Sequence, residues 1–376
     1  MRVALERKED VLLSPLGAVS FESLPLGTYT KGQIAFRIDV AQEPLDSLHV
    51  EIMNGAGFQL SRALPASLLA VGSHVWSWEG FDQAGVLDVR TLEATFKVEF
   101  RGTRKGKLSV ETITMRGERA GVDWLDAVVD RNKKTVRIDL RVHLKEGRSY
   151  GVGEPPPEDA RSSGFVQSLP KTDPRTKPHA RARTFAELCR LAADGIKHHW
   201  SRPIRTGAGT FDVTTQPILT SKRAMDDVSL AYNTNRPWLR SSNPGRVRGF
   251  YSLFGNFVPE RIAYNVGWIQ YSRWIYETPA TADLEFSLTA AHEIGHEILS
   301  AYGGDAYSYS HRGSSTIISQ SKLPLGEGGV SYPSGGSVDL MKYYHGVRPP
   351  GFRAITKASE EDVQALLWLS RVRFRA

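Results

Sequence analysis

Cysteine is almost absent from this sequence, and long apolar runs are missing. The single cysteine, Cys189, excludes an intrachain disulfide. It lies in 185–199, where the apolar spacing predicts an amphipathic helix, so we expect a buried structural thiol. No apolar run approaches the ~20 residues that a membrane span needs, and residues 1–13 lack the apolar segment of a secretory signal. We therefore expect synthesis in the cytoplasm, no membrane span, and any export by a route without a cleaved signal.

Positive charge is concentrated in one part of the chain. The net charge is +7, yet residues 171–250 carry 15 basic and 6 acidic side chains, whereas residues 1–150 are nearly balanced. Such a basic region can bind nucleic acid, anionic lipid or an acidic polymer. Because no pattern of a known nucleic-acid module accompanies the charge, we favour a solubilising surface and keep nucleic-acid binding as the weakest alternative.

Alternating apolar residues run through the first part of the chain, in the stretches 34–40, 48–52, 92–100 and 136–144. A period of two places one set of side chains on a buried face of a strand. Several such strands between Gly, Asn and Asp turns predict a β-sandwich. The segment Trp76 to Asp82 resembles the tryptophan, acidic residue and glycine turn of small Ig-like domains. We predict an all-β, Ig-like adaptor domain at 1–148.

A change in composition separates this region from the rest. Prolines recur from Pro155 to Pro178 in a polar, glycine-rich stretch, which predicts an extended linker at 149–183. The second predicted domain covers 184–376.

The segment Asp283 to Tyr302 predicts one buried helix. Thr281 or Asp283 can cap its start, and Gly303 with Gly304 supplies a left-handed stop. Apolar residues occupy two of its sides, which indicates burial. The same helix contains two histidines and a glutamate, a costly arrangement without partners.

His292 and His296 are four residues apart, so their imidazoles lie on the same helix face. That spacing lets both rings reach one Zn²⁺ ion at ~2.0–2.1 Å. Glu293 lies beside the same site and can accept a proton from a zinc-activated water. The pattern predicts a zinc peptidase, and the plain alternative is a pair of structural helix histidines.

A zinc site of this kind needs a third protein ligand. The spacing of the metzincins is excluded, because their ligand position holds Tyr302. Asp339 is the preferred candidate, since its Gly-x-x-Asp segment resembles the third-ligand segment of aspartate-type zincins; a helix N-cap is its alternative role. The other candidate ligands are His311, Glu327 and His345. Candidates for a hydrogen bond to the reaction's oxyanion are Tyr343, Tyr344, His345 and His311.

Residues 185–376 resemble the metallopeptidase toxin domains attached to spike proteins of the bacterial type VI secretion system. The matching stretches are 195–202, 292–304, 307–314, 339–344 and 361–369. The resemblance implies a mainly helical zincin-like fold, a zinc cofactor held by His292 and His296, and an immunity protein as partner. It also implies delivery into the periplasm of a competing bacterium, with the N-terminal domain docking on a spike or PAAR-type protein. One departure is Ser337, which stands where the family pattern has a glutamate.

These observations predict an α+β protein: an Ig-like sandwich followed by a mainly helical metallopeptidase domain. The predicted function is hydrolysis of peptide bonds by an antibacterial effector, with Glu293 activating the water. The alternative, which Ser337 motivates, is a non-catalytic binding or docking protein that retains a degenerate peptidase fold.

Overall fold

The computed structural model describes residues 1–6, 11–22, 32–150, 181–234, 236–242, 261–270 and 273–375. The predicted linker at 149–183 lies almost entirely outside these residues. Within them, no helix is both long enough and apolar enough to cross a membrane.

Strands dominate the chain up to residue 150. The strands are β1 (Arg2–Leu5), β2 (Val11–Leu13), β3 (Ile34–Val40), β4 (Ser47–Asn54), β5 (Gln59–Ala63), β6 (Gly72–Trp78), β7 (Val86–Asp88), β8 (Thr95–Arg104), β9 (Lys107–Arg119), β10 (Leu125–Asp130), β11 (Thr135–Val142) and β12 (Leu144–Tyr150), with one helical turn, α1 (Val89–Leu92).

The rest of the described chain mixes helices with short strands. The helices are α2 (Phe185–Trp200), α3 (Pro279–Tyr309), α4 (Phe352–Ile355) and α5 (Glu360–Leu369). The strands are β13 (Arg202–Thr206), β14 (Gly209–Leu219), β15 (Val228–Asn233), β16 (Arg236–Pro237), β17 (Arg261–Asn265), β18 (Gly267–Gln270), β19 (Arg273–Tyr276), β20 (Val330–Ser331), β21 (Val338–Asp339), β22 (Tyr344–His345), β23 (Thr356–Lys357) and β24 (Val372–Arg375).

The chain divides into two compact units that are discontinuous in sequence. Unit 1 comprises Met1–Asp139, Pro203–Thr214 and Val363–Ala376, and unit 2 comprises Leu140–Arg202 and Thr215–Asp362. Segments from beyond the predicted linker therefore take part in the N-terminal unit.

Unit 1 is built on β-sheets whose strands follow the predicted alternation. The stretches predicted at 34–40 and 48–52 form β3 and most of β4, and those at 92–100 and 136–144 overlap β8 and β11. The largest sheet has the order β2-β24-β9-β8-β4-β5. Its inward side chains, such as Phe96 and Phe100, are fully buried. Trp76 and Trp78 pack edge-on against these two rings and so fill the core, as expected.

The predicted small Ig-like sandwich is nevertheless wrong. A second sheet has the order β13-β14-β11-β10-β7, and a third has the order β1-β3-β6. Unit 1 therefore includes the β13–β14 hairpin and strand β24, which lie far downstream in the sequence. Residues 1–148 alone do not complete it.

The predicted mainly helical C-terminal domain is also wrong. Strands hold 42% of the described residues and helices 24%, so the protein is mostly β. The physical reason is strand length: β16 and β20 to β23 have two residues each. So short a strand gives no period-two pattern in sequence.

The helix that carries the histidine motif is longer than predicted. Helix α3 begins at Pro279, with Thr278 as its N-cap, instead of near Asp283. Gly304, at φ 81° and ψ 169°, kinks the helix where the sequence predicted its end, and a short continuation runs to Tyr309. The kink turns the chain, and the continuation carries residues that contact the histidines.

Helix α3 lies against α2 at a very close crossing. A Cβ atom on Gly195 of α2 would lie 2.1 Å from the carbonyl oxygen of Ser287 on α3. Trp200, at the end of α2, donates its indole N–H to the Ala291 carbonyl at 3.0 Å. Both contacts fix the part of α3 that precedes the histidine motif.

Candidate metal centre

Three histidines form a compact cluster at the kinked end of α3. One possible ligand atom from each of His292, His296 and His311 lies within 4.8 Å of the others. The ring centroids are 4.9, 5.3 and 4.9 Å apart for the three pairs. These residues therefore lie close enough together to bind one metal ion.

Each imidazole is held through its Nδ1 atom. His292 Nδ1 donates to the Leu340 carbonyl at 2.8 Å. His296 Nδ1 lies 3.0 Å from Ser308 Oγ, and this hydroxyl donates its own proton to the His296 carbonyl, so the imidazole must be the donor. His311 Nδ1 bonds Ser315 Oγ at 2.8 Å.

With Nδ1 occupied, Nε2 is the atom of each ring that can bind a metal. Metal-ligating histidines commonly donate the other ring N–H to a protein oxygen, which fixes their tautomer and orientation. His311 Nε2 is buried and has no hydrogen-bond partner among the described residues. A buried polar atom without a partner is costly, and a metal ion would satisfy this one. The residues present therefore fit a metal ion.

Burial keeps the three imidazoles neutral. Desolvation is the main cause that lowers the pKa of His292 and that of His296, in the latter case well below its ordinary value. Burial also lowers the pKa of His311 to about 2. Metal ligation requires the neutral imidazole, so this environment favours binding of a cation over protonation.

His311 reaches the cluster through an unusual turn. His311 and Arg312 have φ values of 49° and 54°, and Gly313 follows at 80°. Non-glycine residues rarely adopt this left-handed region, and such strain persists only where surrounding contacts enforce it. Arg312 supplies those contacts: it donates to Asp339 at 2.6 Å and forms ion pairs with Glu361 and Asp362.

Asp339 does not join the cluster. One of its carboxylate oxygens accepts from Arg312, and the other accepts from the Met341 backbone N–H at 2.9 Å. The structure brings His311, rather than the preferred candidate Asp339, to the two helix histidines. The N–H of Asp339 also donates to the hydroxyl of Tyr344 at 3.0 Å. Asp339 thus holds the turn that presents His311.

The remaining candidate ligands lie elsewhere. His345 Nε2 donates to the Leu323 carbonyl at 2.7 Å, and Glu327 is exposed. Ser337, which stands in place of an expected glutamate, is exposed as well. None of these three residues is a member of the histidine cluster.

Glu293 and Tyr343 lie on the open side of the cluster. Both line a cleft of about 670 Å³ that also reaches His292. Glu293 is buried, at 8% exposure. Tyr343 stacks on His311, and its pKa is raised by burial and then by the nearby Glu293 carboxylate. The carboxylate of Glu293 and the phenol of Tyr343 therefore line the same cleft as the cluster residue His292.

Several residues that complete the site carry no signal in the sequence. Ser308 is separated from His296 by the kink in α3, and Ser315 is separated from His311 by a left-handed turn. Arg312 follows His311 directly, and its acidic partners come from β21 and α5. The one available signal was the Ser-His-Arg-Gly sequence at 310–313, since glycine after a polar turn indicates a left-handed backbone.

No protein-family model, curated protein or solved structure matches this chain. The function of this chain is therefore inferred from the geometry of the site and from its motifs.

Proposed function

We propose that the chain is a zinc-dependent peptidase with His292, His296 and His311 as the metal ligands. The observation that carries the proposal is the convergence of three neutral imidazoles, each oriented by a hydrogen bond through Nδ1. Three protein ligands that leave one coordination position open are typical of catalytic zinc sites, whereas structural sites have four. Imidazole also suits Cu, Ni and Fe, and metal analysis of the purified protein distinguishes these ions from zinc.

A bound zinc ion supplies two effects: it lowers the pKa of a water in its open position and polarises a carbonyl group. Glu293 follows His292 directly on α3 and lines the same cleft. Its carboxylate is the group placed to take a proton from the attacking water. Carboxylates are common general bases when held within reach of the reacting atoms.

Tyr343 is the proposed donor to the developing oxyanion. Its ring lies against His311 with centroids 3.7 Å apart, and it lines the cleft beside Glu293. Burial raises its pKa, so the phenol keeps its proton and can donate it in a hydrogen bond. His311, another of the four candidates for this role, is assigned to the metal instead.

The decisive experiment pairs metal analysis with turnover. We expect about one zinc per chain in purified protein and cleavage of an unstructured protein substrate that a chelator abolishes. Glu293→Gln should keep the metal and lose activity by about 10²-fold or more. Glu327→Gln, at an exposed glutamate outside the cleft, is the matched control. Metal-free protein, or an active Glu293→Gln variant, would contradict the proposal.

The biological setting is a separate proposal, which rests on the motif resemblance alone. In it, the chain is an antibacterial effector of type VI secretion that acts in the periplasm of a competitor and is neutralised by an immunity protein. Expression directed to the periplasm of a bacterial host should be toxic for the wild type and harmless for Glu293→Gln. Equal toxicity of the two would argue for a non-catalytic docking protein, although the set of three imidazoles weakens the reason for that alternative.

A further inference from the structure

The cleft beside the histidine cluster contains more available positive than negative charge. Among its lining side chains, Arg240, Lys322 and Lys342 form no ion pair with any carboxylate of the described residues. The lining acids are largely compensated: Glu285 is paired with Arg348 and Arg353.

The other lining acids are Asp339, Glu277 and Glu293. Asp339 is paired with Arg312. Burial raises the pKa of Glu277. Because Arg240, Lys322 and Lys342 have no carboxylate partner among the described residues, the field in the cleft favours an anionic ligand.

Arg240 is the lining cation whose charge acts on all three cluster histidines. Its positive charge lowers the pKa of Tyr343 and that of each cluster histidine. It also donates to the side chain of Gln320. The side chain is otherwise exposed to the cleft, and a guanidinium fork matches a carboxylate with two parallel hydrogen bonds.

The backbone that carries Arg240 is fixed in place. Asn265 on β17 exchanges two hydrogen bonds with Leu239, at 3.1 and 3.0 Å. Arg261 Nε donates to the Arg240 carbonyl at 3.2 Å. An arginine on a segment tied to a strand can select a ligand, because less freedom is lost when the ligand binds.

We propose that Arg240 is a specificity-determining residue that binds the carboxylate of an aspartate or glutamate close to the scissile bond of a peptide substrate. This inference rests on the proposed peptidase function. Trp238, half-exposed, and the buried Trp268 line the same cleft and provide apolar surface for the neighbouring side chains of the peptide.

The test compares fluorogenic peptides in which one position at a time carries Glu or its neutral isostere Gln. We expect wild-type protein to cleave the best Glu peptide with a kcat/KM about tenfold above that of its Gln partner. Arg240→Gln should reduce this ratio of kcat/KM values to about one, and Arg240→Lys should keep part of the wild-type ratio. Arg240→Glu should reverse the preference, so that peptides with Lys at this position are cleaved best. Arg190→Gln, at an exposed arginine of α2 outside the cleft, should keep the wild-type ratio.

A second readout needs no turnover. The Glu293→Gln variant should bind a labelled Glu peptide more tightly than the Gln peptide by fluorescence anisotropy, and adding Arg240→Gln should remove the difference. Cleavage without any preference for acidic residues, or a stronger preference for phosphopeptides, would overturn the role of Arg240 and leave the peptidase proposal standing. A zinc-loaded wild type that cleaves no peptide would overturn both.

Discussion

The phenol ring of Tyr343 lies nearly parallel to the imidazole of His311, with ring centroids 3.7 Å apart and planes inclined by 24°. The same side chain thus stacks on a proposed ligand and lines the cleft, where its hydroxyl is the proposed oxyanion donor. Substitution can separate these two roles. Tyr343→Phe keeps the stacking and removes the hydroxyl, so metal content should be unchanged while kcat falls by about 10²-fold.

Tyr332→Phe is the control for that experiment, because Tyr332 also lines the cleft but stacks on Tyr344 instead of a histidine. Its kcat should stay within about twofold of wild type. An equal loss in the two variants would mean that the Tyr343 hydroxyl has no special part in turnover.

Substitution of His311 and of Asp339 in turn should show which of these two residues is the third metal ligand. His311→Ala is expected to lower zinc affinity by more than about 100-fold, because two ligands remain. Asp339→Asn should retain about one zinc per chain, with an affinity about tenfold lower, since Asp339 only holds the turn through Arg312. Competition with a chromophoric chelator measures both affinities. The reverse order would make Asp339 the ligand.

The sequence predicted the parts of this site that lie within one helix. His292 and His296 are four residues apart, so their spacing alone defined a shared face, and Glu293 was placed beside it. His311 follows a kink at Gly304 and begins a run of three residues with positive φ, so no helical or strand period connects it to the others. It was one of several possible ligands until the backbone was known.

The fold was predictable to a similar degree. Strands β3 and β4 carry enough alternating residues to be recognised from sequence, and the helix Phe185–Trp200 matched its predicted span, with a Thr184–Glu187 capping box at its start. The two-residue strands of unit 2 lack a periodic pattern. Their pairing depends on contacts distant in sequence, such as Val338 with Thr356.

The α2–α3 crossing should tolerate no side chain at Gly195. Its Cβ would lie 2.1 Å from a backbone oxygen, which cannot rotate away, so the helices must separate. We expect Gly195→Ala to lower the free energy of unfolding by at least about 2 kcal/mol and to weaken zinc binding, because α3 carries the site. Gly335→Ala, where a Cβ meets nothing within 4 Å, should change stability by less than about 0.5 kcal/mol. Urea denaturation followed by circular dichroism gives both values.

Acid should destabilise the protein partly through His199. This side chain is 3% exposed and donates Nδ1–H to the Thr356 carbonyl at 2.7 Å, and burial lowers its pKa to about 4. On acidification the unfolded chain therefore takes up this proton first. The resulting loss of stability begins near the ordinary histidine pKa, about 6.5, and is complete below about pH 4, with a size of at most about 3 kcal/mol.

His199→Asn preserves a donor near the position of Nδ1 and removes the titration. Unfolding free energies measured from pH 7.5 to 4.5 should fall less steeply for this variant than for wild type. His74→Asn, at a histidine on β6 in unit 1, should follow the wild-type curve. Parallel curves for His199→Asn and wild type would show that another group is responsible.

The position of β24 has a consequence for biosynthesis. This strand pairs with β2 on one side and with β9 on the other. The ribosome produces β9 more than two hundred residues before β24. During translation, the backbone groups of β9 that later pair with β24 therefore remain without that partner. An unpaired edge can recruit other chains. Nascent protein should therefore depend on chaperones until residues 372–375 emerge, and a chain truncated after α5 should aggregate through its N-terminal half.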